Sequence, residues 1–225
     1  MIIGDGTIIG NSNTIKKYTE IGKNCQIFHN CVIGELPQDI KFSGEKTTVK
    51  IGDNTIIREF VTIHRGTKAR GETIIGNNVF FMAFAHVAHD CIVGNNVVMI
   101  NQATLGGHSE IEDWAMLSGG AMVHQFVRIG AHAFIGGLFR VTQDVPPYVM
   151  AVGEPLRYGG LNSVGLRRRG FSSADRMNIK RAYRYYFRSA LKPSVALEKI
   201  RNEFPDDKNI LKIVEFIENS KRGII

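Results

Sequence analysis

From Ile3 to Val141 an apolar residue returns at every sixth position. Ile3, Ile9, Ile15, Ile21, Ile27 and Ile33 open the series and Ile51, Ile57 and Ile63 continue it. Ile75, Phe81, Val87, Val93, Met99, Leu105, Ile111, Leu117, Val123, Ile129, Ile135 and Val141 complete it. Only Asp39, Glu45 and Ala69 interrupt the phase. A helix needs apolar spacing near 3.6 and a half-buried strand a spacing of two, so a sustained period of six predicts an all-β solenoid. Three hexads make a coil of about 18 residues, triangular in section, with the apolar ladder inside. Glycine follows many ladder residues, at Gly22, Gly52, Gly76, Gly94 and Gly130. It is expected to supply tight corners with positive φ.

The pattern changes at Pro146-Pro147 and divides the chain into a solenoid, 1–149, and a C-terminal α-helical domain, 150–225. Ser172 with Asp175 three residues on resembles a capping box opening a helix through Tyr183, Tyr186 and Phe187. A second helix is predicted from about Ser194 to Phe204. A third, from about Asp207, carries Ile210, Ile213, Val214 and Ile217 on one face and ends at Gly223.

The three cysteines, Cys25, Cys31 and Cys91, form neither a CxxC pair nor a disulfide framework, which points to a reducing cytoplasm and a wall-packing role. No stretch reads as a signal peptide or a membrane span, so no stable membrane insertion is expected. The formal charge is +7, with Arg157, Arg167, Arg168, Arg169, Arg176, Lys180, Arg181, Arg184 and Arg188 crowded into one segment. Such a cluster suits a phosphate-bearing ligand or an acidic protein. No recognised nucleic-acid motif accompanies it, so nucleic acid is not expected as a partner.

All seven histidines lie inside the ladder region, and His86, His89, His108 and His124 fall close to one phase of the coil. Coils stack at roughly 4.8 Å, so these imidazoles should line one vertical edge. With Asp90 beside His89, the edge suits either a general base or a three-histidine metal site between subunits. Sequence phase alone leaves both open.

The hexad pattern resembles the hexapeptide-repeat acyltransferases, whose fold is a left-handed parallel β-helix; the handedness rests on that resemblance. The segments 34–42 (GELPQDIKF), 62–67 (TIHRGT), 85–91 (AHVAHDC), 103–108 (ATLGGH), 123–126 (VHQF), 143–148 (QDVPPY) and 165–171 (GLRRRGF) are similar, in order, to those of the UDP-N-acetylglucosamine O-acyltransferases of lipid A biosynthesis. The resemblance spans essentially the whole chain. It implies transfer of a 3-hydroxyacyl group from an acyl carrier protein thioester to the glucosamine 3-hydroxyl by a cytoplasmic homotrimer, with no further cofactor and no metal.

By the same resemblance, His89 is the general base, Asp90 supports it, and the Gly107 N–H is the oxyanion donor. Asp39, Lys41, His64, His86, His108, His124 and Gln125 hold the sugar, acyl chain or uridine diphosphate. Asn162, Arg168 and Arg169 meet nucleotide phosphate or carrier protein. Gly137 sits at the end of the acyl groove as a chain-length ruler, and a glycine there implies a chain of about fourteen carbons. Phe139 and Arg140 stand where the family has small residues and would shorten the groove if they entered it. The family begins about two coils upstream of Ile3, so the first coil is expected to be less stable. A related UDP-sugar N-acyltransferase and a non-catalytic paralogue that binds nucleotide sugar or carrier protein are the alternative readings.

Overall fold

The computed structural model describes residues 1–225 and shows a left-handed parallel β-helix closed by a helical domain. Strands of mostly two residues fall on three faces. The first face runs from Ile2–Ile3 to Arg128–Ile129, the second from Ile8–Ile9 to Phe134–Ile135, and the third from Thr14–Ile15 to Arg140–Val141. Each strand pairs in parallel with its counterpart one coil on, as Ile74 does with Ile92 and Ile92 with Glu110. The ladder is the core: from Ile21 to Val141 none of its side chains is more than 4% exposed. Ile3 and Ile9, on the first coil, are 39% and 38% exposed.

A second series of six lies at the corners, where small residues such as Cys25, Cys31, Ala85, Cys91, Ala103 and Ala115 are fully buried. The cysteines are therefore wall residues with free thiols, and burial pushes the Cys91 thiol up to about 12.

The three ladder breaks mark two excursions. The first face pairs Thr19 with Val49, so residues 36–47 leave the coil, and it pairs Thr48 with Glu72, so residues 65–71 leave it again. Asp39 and Glu45 belong to the first loop and Ala69 to the second. Both loops open from the corner between the third and first faces, called corner three below; corner one joins first to second face, and corner two second to third.

The role expected of glycine is filled differently. Left-handed φ at corner one belongs to a glycine only in the first coil, Gly6, and then to Asn24, Asn54, Asn78, Asn96, Trp114 and His132. Asparagine tolerates that region through local hydrogen bonding of its short amide. The glycines after the ladder residues are needed for stacking: a Cβ on Gly52 would lie 2.7 Å from the Gly76 carbonyl carbon in the next coil.

Past Pro147 the chain first adds a hairpin, Val149–Val152 with Arg157–Leu161, which extends the second face by pairing Phe134 with Met150. Four helices follow: α1 (Ser163–Arg168), α2 (Ser173–Arg188), α3 (Pro193–Glu203) and α4 (Lys208–Glu218). Ser172 and Asp175 form the capping box of α2. The last helix stops at Glu218 rather than reaching Gly223, because the tail turns back onto the β-helix: Ser220 Oγ donates to Asp144 Oδ2 at 2.7 Å and Asp144 N donates to Gly223 O. Tyr183, wholly buried, donates from its hydroxyl to Pro147 O at 2.5 Å and fastens α2 to the coil stack.

Candidate functional site

Corner three gathers the chemistry. Asp90, His108 and Phe126 stack one coil apart in left-handed backbone, while His89 and Gly107 occupy the preceding position of successive coils. His89 Nδ1 lies 2.8 Å from Asp90 Oδ2. The ionised carboxylate can only accept, so Nδ1 carries the proton and Nε2 presents its lone pair. A Cβ built on Gly107 would lie 2.7 Å from that Nε2 and 2.6 Å from Cε1. Only glycine leaves room for the imidazole, and the Gly107 N–H beside it makes no hydrogen bond within the chain. His108 meets His89 edge to face at 5.1 Å, and Phe126 stacks on the outer side of His108 at 4.4 Å. Burial lowers the His108 pKa, an effect partly opposed by the nearby Asp90 and Asp39 charges. A groove of about 470 Å³ opens beside His108 and is rimmed by Arg70, Arg128, Lys221 and Arg222.

Asp90 is fully buried and its carboxylate is already saturated. Oδ1 accepts from Thr67 N at 2.9 Å and Arg70 N at 3.3 Å, and Oδ2 accepts from Thr67 Oγ1 at 2.7 Å as well as from His89. His89, Asp90 and His108 are the one group of potential ligand atoms within 4.8 Å of one another. Direct ligation through Asp90 would have to displace those donors, so the carboxylate serves to orient the His89 ring. The Nδ1–H bond to Asp90 leaves the His89 Nε2 lone pair available.

Other expected site residues lie at or near this corner. His64, buried, bonds through Nδ1 to Leu36 O at 2.6 Å and so pins the root of the 36–47 loop. His86 contacts Thr62 Oγ1 at 2.7 Å and His64 edge-on at 5.3 Å; burial, then the His64 charge, pushes its pKa down to about 4. Asp39 folds into a turn, accepting from Lys41 N, while the Lys41 side chain stands exposed. His124 and Gln125 are exposed at the same corner two coils beyond His89. The four histidines of near-equal phase thus occupy adjacent but different positions, with His86 on the third face and the other three around the bend.

Asn162, Arg168, Arg169 and Gly137 lie elsewhere. Asn162 caps α1, accepting from Gly165 N, and donates from Nδ2 to His132 O at 2.9 Å. Arg169 lies over Trp114 at 5.0 Å and within 3.4 Å of His132 at corner one, while Arg168 is exposed. Burial, then the Arg169 charge, pushes His132 down to about 4. Asn162, Arg168 and Arg169 line a hollow of about 350 Å³ floored by Met116, Phe134 and Met150 on the second face. Gly137 is exposed at corner two, Phe139 packs across Gly136, and Arg140 turns outward to Glu154 at 2.9 Å. Within one chain the expected site is therefore spread over all three corners. Thr67, Arg70 and Phe126 carried no expected role, although Thr67 and Phe126 close two of the family-like segments and the ladder break at Ala69 marks the loop that holds Thr67 and Arg70.

Residues 72–107 match the family model for bacterial transferase hexapeptide (six repeats), and residues 144–225 match that for UDP N-acetylglucosamine O-acyltransferase, domain 2. An acyl-[acyl-carrier-protein]–UDP-N-acetylglucosamine O-acyltransferase from Thermodesulfovibrio yellowstonii is 52% identical over 223 residues, covering 99% of this chain and 86% of that protein. Among solved structures, a UDP-N-acetylglucosamine acyltransferase from Bacteroides fragilis superposes with a TM-score of 0.93 at 43% identity, covering 100% of this chain and 95% of the other. One from Campylobacter jejuni gives 0.93 at 38% identity, covering 99% and 86%.

Proposed function

The chain belongs to the acyl-[acyl-carrier-protein]–UDP-N-acetylglucosamine O-acyltransferase family, and on that premise we propose that His89 is its general base, Asp90 the support of that base and Gly107 the oxyanion donor. It moves an acyl group from the carrier protein thioester to an oxygen of UDP-N-acetylglucosamine, the opening step of lipid A biosynthesis. The acyl group is a 3-hydroxyacyl chain and the acceptor the glucosamine 3-hydroxyl.

His89 Nε2 takes the hydroxyl proton as the sugar oxygen attacks the thioester carbon. The Nδ1–H bond to Asp90 stabilises the imidazolium that forms. The carbonyl oxygen becomes an oxyanion facing the Gly107 N–H, where no side chain keeps it away. Collapse expels the carrier thiolate, which recovers the proton from His89. No cofactor is needed, because the thioester supplies the acyl group and its free energy. The single observation that carries this reading is the 2.8 Å Nδ1–Oδ2 bond, which leaves Nε2 free against Gly107.

Asn162, Arg168, Arg169 and Gly137 are assigned to substrate contacts supplied by a neighbouring copy in a homotrimer. Two observations support this. These residues stand on other corners than His89, and the second face carries an outward column, Ile8, Gln26, Ile56, Phe80, Val98, Met116, Phe134 and Met150, that is apolar except at Gln26. The corresponding column on the first face includes Glu20, Lys50, Glu110 and Arg128. The apolar face fits self-association. His64, His86, His108, His124, Gln125, Asp39 and Lys41 hold sugar, acyl chain and diphosphate. Free buried thiols accord with a cytoplasmic setting, and no helix is long and apolar enough to cross a membrane.

Incubation with 3-hydroxyacyl carrier protein and UDP-N-acetylglucosamine tests the assignment by mass and fragmentation of the product. O-acylation at the sugar 3-position, unaffected by chelator, is expected. N-acylation, or chelator-sensitive activity restored by zinc, would contradict it.

A further inference from the structure

The 65–71 excursion ends on the His89–Asp90 pair, and we propose that Thr67 is a positioning residue for acyl transfer, fixing the Asp90 carboxylate in the orientation and ionised form that hold the proton on His89 Nδ1. This rests on His89 being the base. Thr67 is 4% exposed and grips both carboxylate oxygens, N–H to Oδ1 at 2.9 Å and O–H to Oδ2 at 2.7 Å. Oδ2 is the oxygen that faces His89 Nδ1. One hydroxyl therefore shares the acceptor that the base depends on.

A carboxylate with no solvent exposure is costly to ionise alone, and hydrogen bonds to its charged form are what keep it ionised. Three of its four donors come from this excursion, two of them from Thr67. An uninterrupted ladder would have placed no residue there; the site exists because six extra residues enter between Thr48 and Glu72. The loop is shut firmly. Gly66 passes so close to the Glu72 backbone that any side chain would collide, and Arg70 Nη2 reaches Glu110 Oε1 at 2.6 Å.

In the reaction, imidazolium forms with its Nδ1–H on Oδ2. By sharing that oxygen's charge, the Thr67 O–H lowers its basicity, so the proton stays on the ring and returns to the leaving thiolate. Without the hydroxyl, Oδ2 carries its full charge and is free to swing about the two backbone donors that remain on Oδ1. The base is then misaligned, and its imidazolium form is stabilised at higher pH.

The test is Thr67→Val, nearly the same shape without the O–H, compared with Thr67→Ser and with Thr67→Val in a His89→Ala background. Expected are a fall in kcat of about 10-fold with KM for both substrates unchanged within about twofold. The acidic limb of kcat/KM should move to higher pH, and Ser should restore both rate and profile. In the His89→Ala background the substitution should cost nothing further, because Thr67 acts through His89. Wild-type kcat and profile in Thr67→Val would overturn the proposal. So would a Ser variant as slow as Val, or an undiminished loss in the double variant. If His89→Ala alone turns over normally, it is the base assignment that fails, and the single-variant comparison identifies which has gone.

Discussion

The tautomer of His89 follows from its neighbour: a buried carboxylate that only accepts commits the proton to Nδ1 and leaves the Nε2 lone pair free. His89→Ala is expected to lower kcat by roughly 10²–10⁴-fold without unfolding the coil stack, since the side chain stands outside the ladder; kcat measured on protein of unchanged melting temperature checks this. Gly107→Ala should also lower kcat, because its Cβ would stand 2.6 Å from His89 Cε1 and force the ring aside. Normal turnover in that variant would show that the ring has slack. His86 and His132 make stability depend on pH. Their folded pKa values, about 4, lie below the unfolded value near 6.5. The unfolded chain therefore binds more protons in between, so their contribution is complete above about pH 6.5 and is lost as pH falls toward 4. Melting temperature should drop between pH 7 and pH 5, and by less when His132 is replaced by Gln. At this scale the sequence was legible where residues sit side by side, as His89 and Asp90 do. Thr67 was not, because it reaches Asp90 only after a loop whose path no period predicts.

Period six fixed the coil and its interior, since every third hexad must return to the same face. It could not fix the breaks. Asp39, Glu45 and Ala69 show that the chain departs, but loop closure costs little per added residue, so the pattern does not say how far the loop goes or what it touches. The corners were misread in one respect: the tight approach between coils demands glycine, and the left-handed turn is taken mostly by asparagine or an aromatic residue. The hairpin Val149–Val152 and Arg157–Leu161 also escaped, lying in a segment before the first predicted helix that was assigned whole to the helical domain. The last helix ends early because Ser220 and Gly223 are drawn to Asp144, a tertiary tie that outweighs a helix-stop signal. The capping box was read directly, since its spacing is its geometry. Ser172→Ala should cost about 1 kcal/mol of helical-domain stability, visible as a lower denaturant midpoint with unchanged kcat at 25 °C. An unchanged midpoint would mean that α2 is held by Tyr183 and its neighbours alone.

One chain presents its proposed base at corner three, Arg169 at corner one and its expected chain-length ruler at corner two, which is the arrangement that a cleft shared between copies requires. Arg168 is exposed beside Arg167 and Arg169 in a protein of formal charge +7. An acidic carrier gains mainly screened attraction there, so the KM for the acyl thioester should rise with ionic strength and after Arg168→Glu. A salt-independent KM would remove the carrier from that surface. The decisive measurement is the activity of trimers co-assembled from equal amounts of His89→Ala chains and chains carrying Arg168→Glu with Arg169→Glu. Each parent alone should be nearly inactive. Random assembly leaves about one cleft in four with an intact His89 facing an intact arginine pair, so the mixture should recover about a quarter of wild-type turnover. Mixed trimers no more active than their parents would contradict a base and a substrate grip supplied by different copies.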